Sequence, residues 1–288
     1  MTFFINPAHV VWSEFQGLET AQPEWLMQRD YWEEYSRAFF QSNGLNYSAR
    51  DSNVLNWLSA EDRAPFACMA DALLADLERH VDLSNIEFVL LAHWLPDLHL
   101  GTSVTNFVMH RLKLDDCFGF AISDHGLSAP FFALDCMGRY LRNGRTRGLL
   151  LIMDQKHLLY RSEIVDRLQP ANSACIISVD TANTSGLAFK GYRRTGTAGR
   201  SLPIALGELR RDFALDDKNL TLIADQALLD TLAPALDAGI GQVATDPRLL
   251  CTAPFARMLD LARTQGDYLL LSQGEFDLSA AVFRHEGT

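Results

Sequence analysis

The sequence predicts an α/β protein whose largely parallel strands are covered by helices on both faces. Three observations carry this. Short, nearly continuous apolar runs recur along the chain: Ile86–His93 (IEFVLLAH), Gly148–Met153 (GLLLIM), Ala174–Val179 (ACIISV) and Leu220–Ala224 (LTLIA). Strands buried on both faces read this way, whereas a half-solvated strand alternates apolar and polar residues. Stretches with apolar residues at helical spacing lie between the runs, so helices and strands alternate. The order of elements also repeats, once over roughly 1–170 and once over 171–288, without visible identity between the two sets.

In chain order, the N-terminal stretch to about residue 55 is irregular and rich in aromatics, with one amphipathic helix over Glu24–Phe40. Ser59–His80 has apolar residues at helical spacing, with Ser59 placed to cap it and acidic residues in its first turn. The Ile86–His93 strand follows, then a helix over Thr102–Leu112, a strand over Cys117–Ile122, and a helix over Ser128–Asn143 that stops at Gly144. Gly148–Met153 closes this set. In the second set, Ala174–Val179 and Leu187–Tyr192 are strands, and a helix spans Ile204–Phe213. The Leu220–Ala224 strand leads into a helix over Gln226–Ala238. A helix over Phe255–Arg263 precedes two paired strands, Tyr268–Ser272 and Ser279–Arg284.

Composition narrows the function. Of 288 residues, 48% are hydrophobic and 21% charged, which is the balance of a globular chain. The net charge of −11 repels a phosphate backbone and argues against general nucleic-acid binding. No uncharged apolar run reaches membrane-spanning length. The start MTFFINPAHVVW lacks a basic segment, a long apolar core and a small-residue cleavage site, so the expected location is the cytoplasm. The five cysteines (Cys68, Cys117, Cys136, Cys175, Cys251) are odd in number and form no CxxC, which supports neither a disulfide framework nor a zinc knuckle. They read as buried thiols.

Several stretches resemble the thiolase fold in its ketoacyl-ACP synthase III branch. Glu24-Trp25-Leu26-x-x-Arg29 is similar to the EWIxxR segment near the start of that family. Ile86–Ala92 followed by Thr102-Ser103 resembles its next strand and helix start. Phe120–Gly144 (FAISDHGLSAPFFALDCMGRYLRNG) resembles the nucleophile strand, elbow and helix. Ala224-Asp225-Gln226-Ala227 resembles the HQAN segment, and Leu269–Val282 resembles the C-terminal hairpin with its GGGF turn. The resemblance runs through most of the chain in the right order. It implies two similar βαβαβ halves in an α/β/α/β/α layering, divided at 170/171.

Members of that family carry out decarboxylative condensation. A cysteine at a helix N-terminus gains thiolate character and attacks an acyl thioester. A histidine and an asparagine donate hydrogen bonds to the second thioester as its enolate forms. Each of these side chains is missing here. Counting forward from Phe120 places Gly126 at the cysteine position, and counting back from the helix places Leu127 there. The histidine of HQAN matches Asp225, which cannot donate when ionised. The asparagine position falls near Leu249 in RLLCTAP, and the glycine turn has become Gln273-Gly274-Glu275-Phe276. Condensation by this chain alone is therefore not expected.

Other residues remain as candidates. Ser128, with His125 as base, is a possible acyl acceptor; the alternative is a hydroxyl that caps the helix. His93 and His99 flank a loop after a strand, where ligands gather, but no third metal ligand is indicated, so no metal is expected. Cys251, close to the lost asparagine, is either a replacement nucleophile or a buried thiol. Trp25 and Arg29 match the positions that in the family stack on the CoA adenine and contact its phosphates; an indole face and a guanidinium suit that ligand. The alternative is that Trp25 packs its helix and Arg29 is solvated. Arg193, Arg194, Arg200, Arg210 and Arg211 form the densest basic region and either receive a phosphopantetheine or CoA phosphate or form a solvated face.

Two functions follow as expectations. In the first, the chain is a non-catalytic subunit of a condensing or acyl-transfer complex in fatty-acid-like or specialised, polyketide-type metabolism. It then resembles the inactive partner of the alkylquinolone-forming condensing complex. The partner is a second copy or an active synthase III-like sibling, with acyl carrier protein as a further partner. In the second, the chain is an acyltransferase that uses Ser128 with His125, or that transfers the acyl group directly with one of His93, His99 and His125. No cofactor is permanently bound in either; an acyl-CoA or phosphopantetheine thioester is the substrate.

Overall fold

A computed structural model describes residues 3–261 and 264–285. The first part of the chain contains β1 (Phe4–Ile5), β2 (Val10–Phe15), α1 (Arg29–Ser42), α2 (Val54–Ser59), α3 (Phe66–Leu77), β3 (Phe88–Ala92), α4 (Val104–Arg111), β4 (Phe118–Ile122), α5 (Ala129–Arg142), β5 (Arg147–Asp154), α6 (Glu163–Leu168) and β6 (Asn172–Asp180). The remainder contains β7 (Leu187–Gly196), α7 (Leu202–Asp212), β8 (Leu220–Ala224), α8 (Gln226–Leu232), β9 (Gly241–Ala244), α9 (Ala253–Leu261), β10 (Gly266–Gln273) and β11 (Asp277–His285).

Two sheets form with the same plan. One has the order β2-β6-β5-β3-β4, and the other β7-β11-β10-β8-β9 with β1 added at its β7 edge. In each, the first three strands pair antiparallel and the last three parallel. The chain visits the five positions of each sheet in the same sequence, so β2 to β6 correspond one for one to β7 to β11. The exchange between sheets falls at 181–186, because β6 completes the first sheet; the 170/171 division drawn above precedes that strand.

Strand side chains explain the layering. Along β3, Phe88, Leu90 and Ala92 enter one core while Val89 and Leu91 enter another. The first core holds α5 and α9 between the two sheets, with Phe131 of α5 and Phe255 of α9 in ring contact at 6.1 Å. The second packs α3 and α4 on the outer face of the first sheet, and a third packs α7 and α8 on the outer face of the second. The result is α/β/α/β/α. Phe88, Phe131, Phe255 and Phe283 are fully buried, each contributing about 1.5–3 kcal/mol.

Some local expectations change. The Ser59–His80 helix breaks in two: Ser59 ends α2, its Oγ donating to the Leu55 carbonyl, and α3 starts only after Pro65. Proline has no N–H and pushes its predecessor out of helical conformation, so the chain turns at 60–65. The Glu24–Phe40 helix divides into a 3-10 turn at Pro23–Gln28 and α1. The expected end of the last helix at Arg263 lies outside the described residues. Strands β1, β2 and β9 and the short helix α6 carry too little periodicity to be read from sequence. Among the described residues, no helix is long and apolar enough to cross a membrane.

Candidate functional site

The loops that follow β4, β5, β8 and β9 converge at the C-terminal ends of the parallel strands, where open α/β sheets bind ligands. The turn between β4 and α5 comprises Gly126–Ser128 in 3-10 form. Gly126 has φ +55°, and a Cβ added there would meet nothing within 4 Å. Glycine is needed for its backbone sign and not for lack of room. Leu127 packs inward against the Leu95, Leu158 and Leu250 cluster.

His125 and Ser128 flank this glycine without forming an acid–base pair. The His125 ring lies parallel to Phe132 at 4.3 Å, and its Nδ1 is 2.8 Å from the Asp124 carboxylate. Ser128 is buried, and its Oγ donates to the His125 carbonyl oxygen (2.8 Å) instead of the imidazole. It stands at the α5 cap position without accepting a backbone hydrogen bond there.

The facing turn, Pro247–Thr252, contains the main backbone outlier. Leu250 has φ 47° and ψ −121°, a conformation that costs a non-glycine residue about 1–3 kcal/mol. Leu250 stands three residues before the first residue of α9, and Gly126 stands three before that of α5. The two are therefore equivalent positions of the repeated halves. Leu249 is buried beside Ala253 and Ala256, and its carbonyl accepts from Ser173 Oγ (3.0 Å).

A buried carboxylate holds the turn. Asp154, at the end of β5, is fully buried. Its Oδ1 accepts from the N–H groups of Trp94 (2.9 Å) and Leu95 (2.8 Å), and its Oδ2 from the N–H of Cys251 (3.0 Å). Burial pushes the Asp154 carboxyl above the ordinary carboxylate range against the opposing pull of these donors. Cys251 Sγ lies 3.8 Å from the Gly126 carbonyl. Burial and the adjacent Asp154 raise this thiol well above its usual value, which keeps it protonated and unsuited to nucleophilic attack.

Asp225 follows β8 and caps α8, with Oδ1 accepting from the Leu228 N–H (2.9 Å). Thr245 N–H donates to the Ala224 carbonyl (2.8 Å), which brings the Asp225 loop beside the one that leads to Leu250.

Trp25 and Arg29 point to different surroundings. The buried Arg63 guanidinium lies 4.7 Å over the Trp25 ring while bonding Glu19 (2.8 Å) and the Trp57 carbonyl. Arg29 is exposed and lines a cleft of about 580 Å³ with Asp30, Glu33, Arg37, Tyr47 and Arg161. Arg37 pairs with Glu34, and Arg161 Nε donates to the Ser52 carbonyl (3.4 Å). In the other basic region, Arg194 pairs with Asp277 (2.6 Å), Arg200 with Glu208 (3.1 Å) and Arg210 with Asp217. Arg193 lies over Phe213 (5.7 Å), and Arg211 Nε donates to the Gly207 carbonyl (3.3 Å).

His93 Nδ1 is 2.8 Å from the Leu95 carbonyl, and His99 Nε2 is 2.7 Å from Glu19. No group of three metal-ligating side chains occurs among the described residues. Asp154 and the strained Leu250 were not singled out from sequence. Asp154 had a faint signal, a lone acid closing an apolar strand; Leu250 had none, since leucine is a poor residue for that conformation.

The comparisons decide the fold. A variant of OleA from Xanthomonas campestris superimposes with a TM-score of 0.63 at 14% identity, over 99% of this chain and 98% of that one. ChlB3, an acyltransferase, gives 0.62 at 15%, over 99% and 98%. 3-Oxoacyl-[acyl-carrier-protein] synthase III from Aquifex aeolicus gives 0.60 at 12%, over 99% and 100%. The fold is thiolase-like. No protein-family model matches the chain. No curated protein matches it.

Proposed function

We propose that this chain is a catalytically degenerate synthase III-like protein that serves as a non-catalytic subunit of a condensing or acyl-transfer complex. The observation that carries this reading is the content of the converging loops. Where the family resemblance calls for a thiol, an imidazole and a carboxamide, this chain has Gly126 or Leu127, a helix-capping Asp225, and Leu249. Leu127 and Leu250 pack with Leu95 and Leu158 beside these loops, which favours scaffolding over chemistry. Ser128 does not rescue an acyl-enzyme route, because its hydroxyl is buried and committed to a backbone carbonyl.

The partner surface we favour is the outer edge of β4. Among the described residues β4 pairs only with β3, so its other edge is left unpaired by any strand. Phe118 and Phe120 are half-buried and Ala121 is exposed along it. A second copy or an active sibling with the same edge would continue the sheet. An acyl-CoA or phosphopantetheine thioester remains the expected ligand of the complex, with the Arg29 cleft as the site for its phosphates.

Two measurements test the proposal. Incubation of the pure protein with short and medium acyl-CoAs, followed by intact-mass analysis, is expected to show no covalent adduct. An adduct that disappears in Ser128→Ala would overturn the reading in favour of acyl transfer. Co-expression with an intact synthase III-like sibling is expected to yield a heteromer that Ala121→Pro disrupts. A chain that forms neither heteromer nor homodimer refutes the subunit role.

A further inference from the structure

On the α1 side of Tyr160 lies a narrow cleft of about 90 Å³ that the function proposed above does not use. It is bounded by α1, by the loop after β3 and by the loop after β5. Phe39, Trp57 and Tyr160 supply apolar and aromatic walls, and Ser36 and Asp97 supply the polar ones. Two buried polar atoms in these walls lack a hydrogen-bond partner: Ser36 Oγ, on a residue only 1% exposed, and Asp97 Oδ2. Buried polar groups are almost always satisfied, so two orphans in one cleft point to an absent ligand.

The chemistry of the walls selects the ligand. Asp97 Oδ1 accepts from the N–H groups of Phe66 (2.8 Å) and Leu98 (2.7 Å), the His99 N–H also bears on this carboxylate, and Oδ2 makes no bond of hydrogen-bonding geometry. Phe39 and Tyr160 stack at 5.9 Å and present electron-rich π-faces. No lysine or arginine lines the cleft. Arg63 lies over Trp57 at 5.6 Å, so that ring acts as an apolar floor more than as a cation acceptor. His157 has Nε2 on Asp62 (2.7 Å), and burial holds it below its ordinary range, which keeps it neutral near pH 7. Burial also raises the Asp97 carboxyl, with the Phe66 N–H, the His99 ring and the Leu98 and His99 N–H groups opposing; a cation bound at Oδ2 would add to that opposition.

We propose that this cleft binds a small organic ammonium ion, its N–H groups donating to Asp97 Oδ2 and Ser36 Oγ and its alkyl body lying against Phe39, Tyr160 and Trp57. The volume admits on the order of five non-hydrogen atoms.

The test is calorimetric titration of the full chain with n-butylammonium chloride, n-butanol and sodium butyrate, which share size and differ in the head group. Butylammonium is expected to bind saturably, with the alcohol and the carboxylate at least tenfold weaker. Asp97→Asn keeps the oxygen that receives the Phe66 and Leu98 N–H groups, and it should weaken butylammonium at least tenfold with little change in melting temperature. Tyr160→Leu should weaken it as well, and the three-ligand comparison on the unaltered protein needs no variant to fold. Equal affinity for all three ligands, no saturable butylammonium binding, or unchanged affinity in a folded Asp97→Asn protein overturns the proposal.

Discussion

Replacement of Asp154 by alanine tests the view that one buried carboxylate fastens the second half of the molecule to the first. Asp154→Ala removes the acceptor for the Trp94, Leu95 and Cys251 N–H groups. Each orphaned buried donor costs about 1–3 kcal/mol. Water entering the vacated space recovers part of this, so the expected loss is near the lower bound, about 3 kcal/mol. For a chain of this size that lowers the melting temperature by about 6–12 °C. Asp154→Asn keeps the Oδ1 bonds to Trp94 and Leu95 but turns a donor toward the Cys251 N–H, so it should lose about 1–2 kcal/mol. The sign of the pH dependence follows from burial. The folded state raises the carboxyl above its ordinary 3.8. The stabilisation from its bound proton is thus complete below 3.8 and is lost as pH rises through the folded value. The gap between the unaltered protein and Asp154→Ala should widen on acidification from neutral pH. Urea and thermal unfolding measure both effects, and iodoacetamide labelling of Cys251 reports local opening. An Asp154→Ala protein within about 1 kcal/mol of the unaltered one, with Cys251 still protected, refutes the reasoning.

Three other outcomes are expected. Glu87 accepts from Thr146 N–H, Thr146 Oγ1 (2.9 Å) and Arg147 N–H (3.2 Å), and the Thr146 N–H foremost holds its carboxyl below the ordinary 4.5. Its stabilisation is present above 4.5 and is lost as pH falls through the folded value. Glu87→Gln should therefore melt below the unaltered protein at pH 7, with the gap closing as pH falls below 4.5. Gly148→Ala would set a Cβ 2.3 Å from the fully buried Phe88 ring and should cost about 1–3 kcal/mol in urea unfolding. Under native maleimide labelling read by peptide mass, the half-buried Cys68, Cys117 and Cys136 should react before the fully buried Cys175 and Cys251. Burial pushes the Cys117 thiol to about 11, so even the first group should label slowly at neutral pH.

The fold was legible where strands are buried on both faces. β3, β5, β6 and β8 are apolar on both sides because each sheet sits between helical layers, and that signal survives without any alignment. β2 and β9 are outer strands of their sheets with mixed exposure, and their sequences carry no such mark. Ser59 resembles a helix cap, but Pro65, six residues on, overrides it. At the candidate site, Gly126 and Asp225 could be placed by motif. Asp154 could not be weighed, because its importance lies in three N–H donors that come from segments some 60 and 97 residues away in the chain. A sequence gives no view of which backbone groups will need an acceptor.

The repeated halves tie these observations together. Each half passes from its parallel edge strand into a central helix, β4 into α5 and β9 into α9, and each does so through a residue of positive φ three positions before the helix. In the first half that residue is glycine, which adopts the conformation freely, and its carbonyl lies against Cys251. In the second half it is leucine, which does not. A strained leucine persists only where its surroundings over-determine it. Here two contributions do so: the side chain is buried among Leu95, Leu158 and Leu127, and the next N–H is held by Asp154. An apolar side chain at such a bend is the reverse of what positioning a thioester would require. The same bend costs backbone strain, and that strain is offset by this packing and by the Asp154 hydrogen bond. The bend is thus held by the contacts that join the two halves, which is what the proposed subunit role would require of a chain whose contribution is shape.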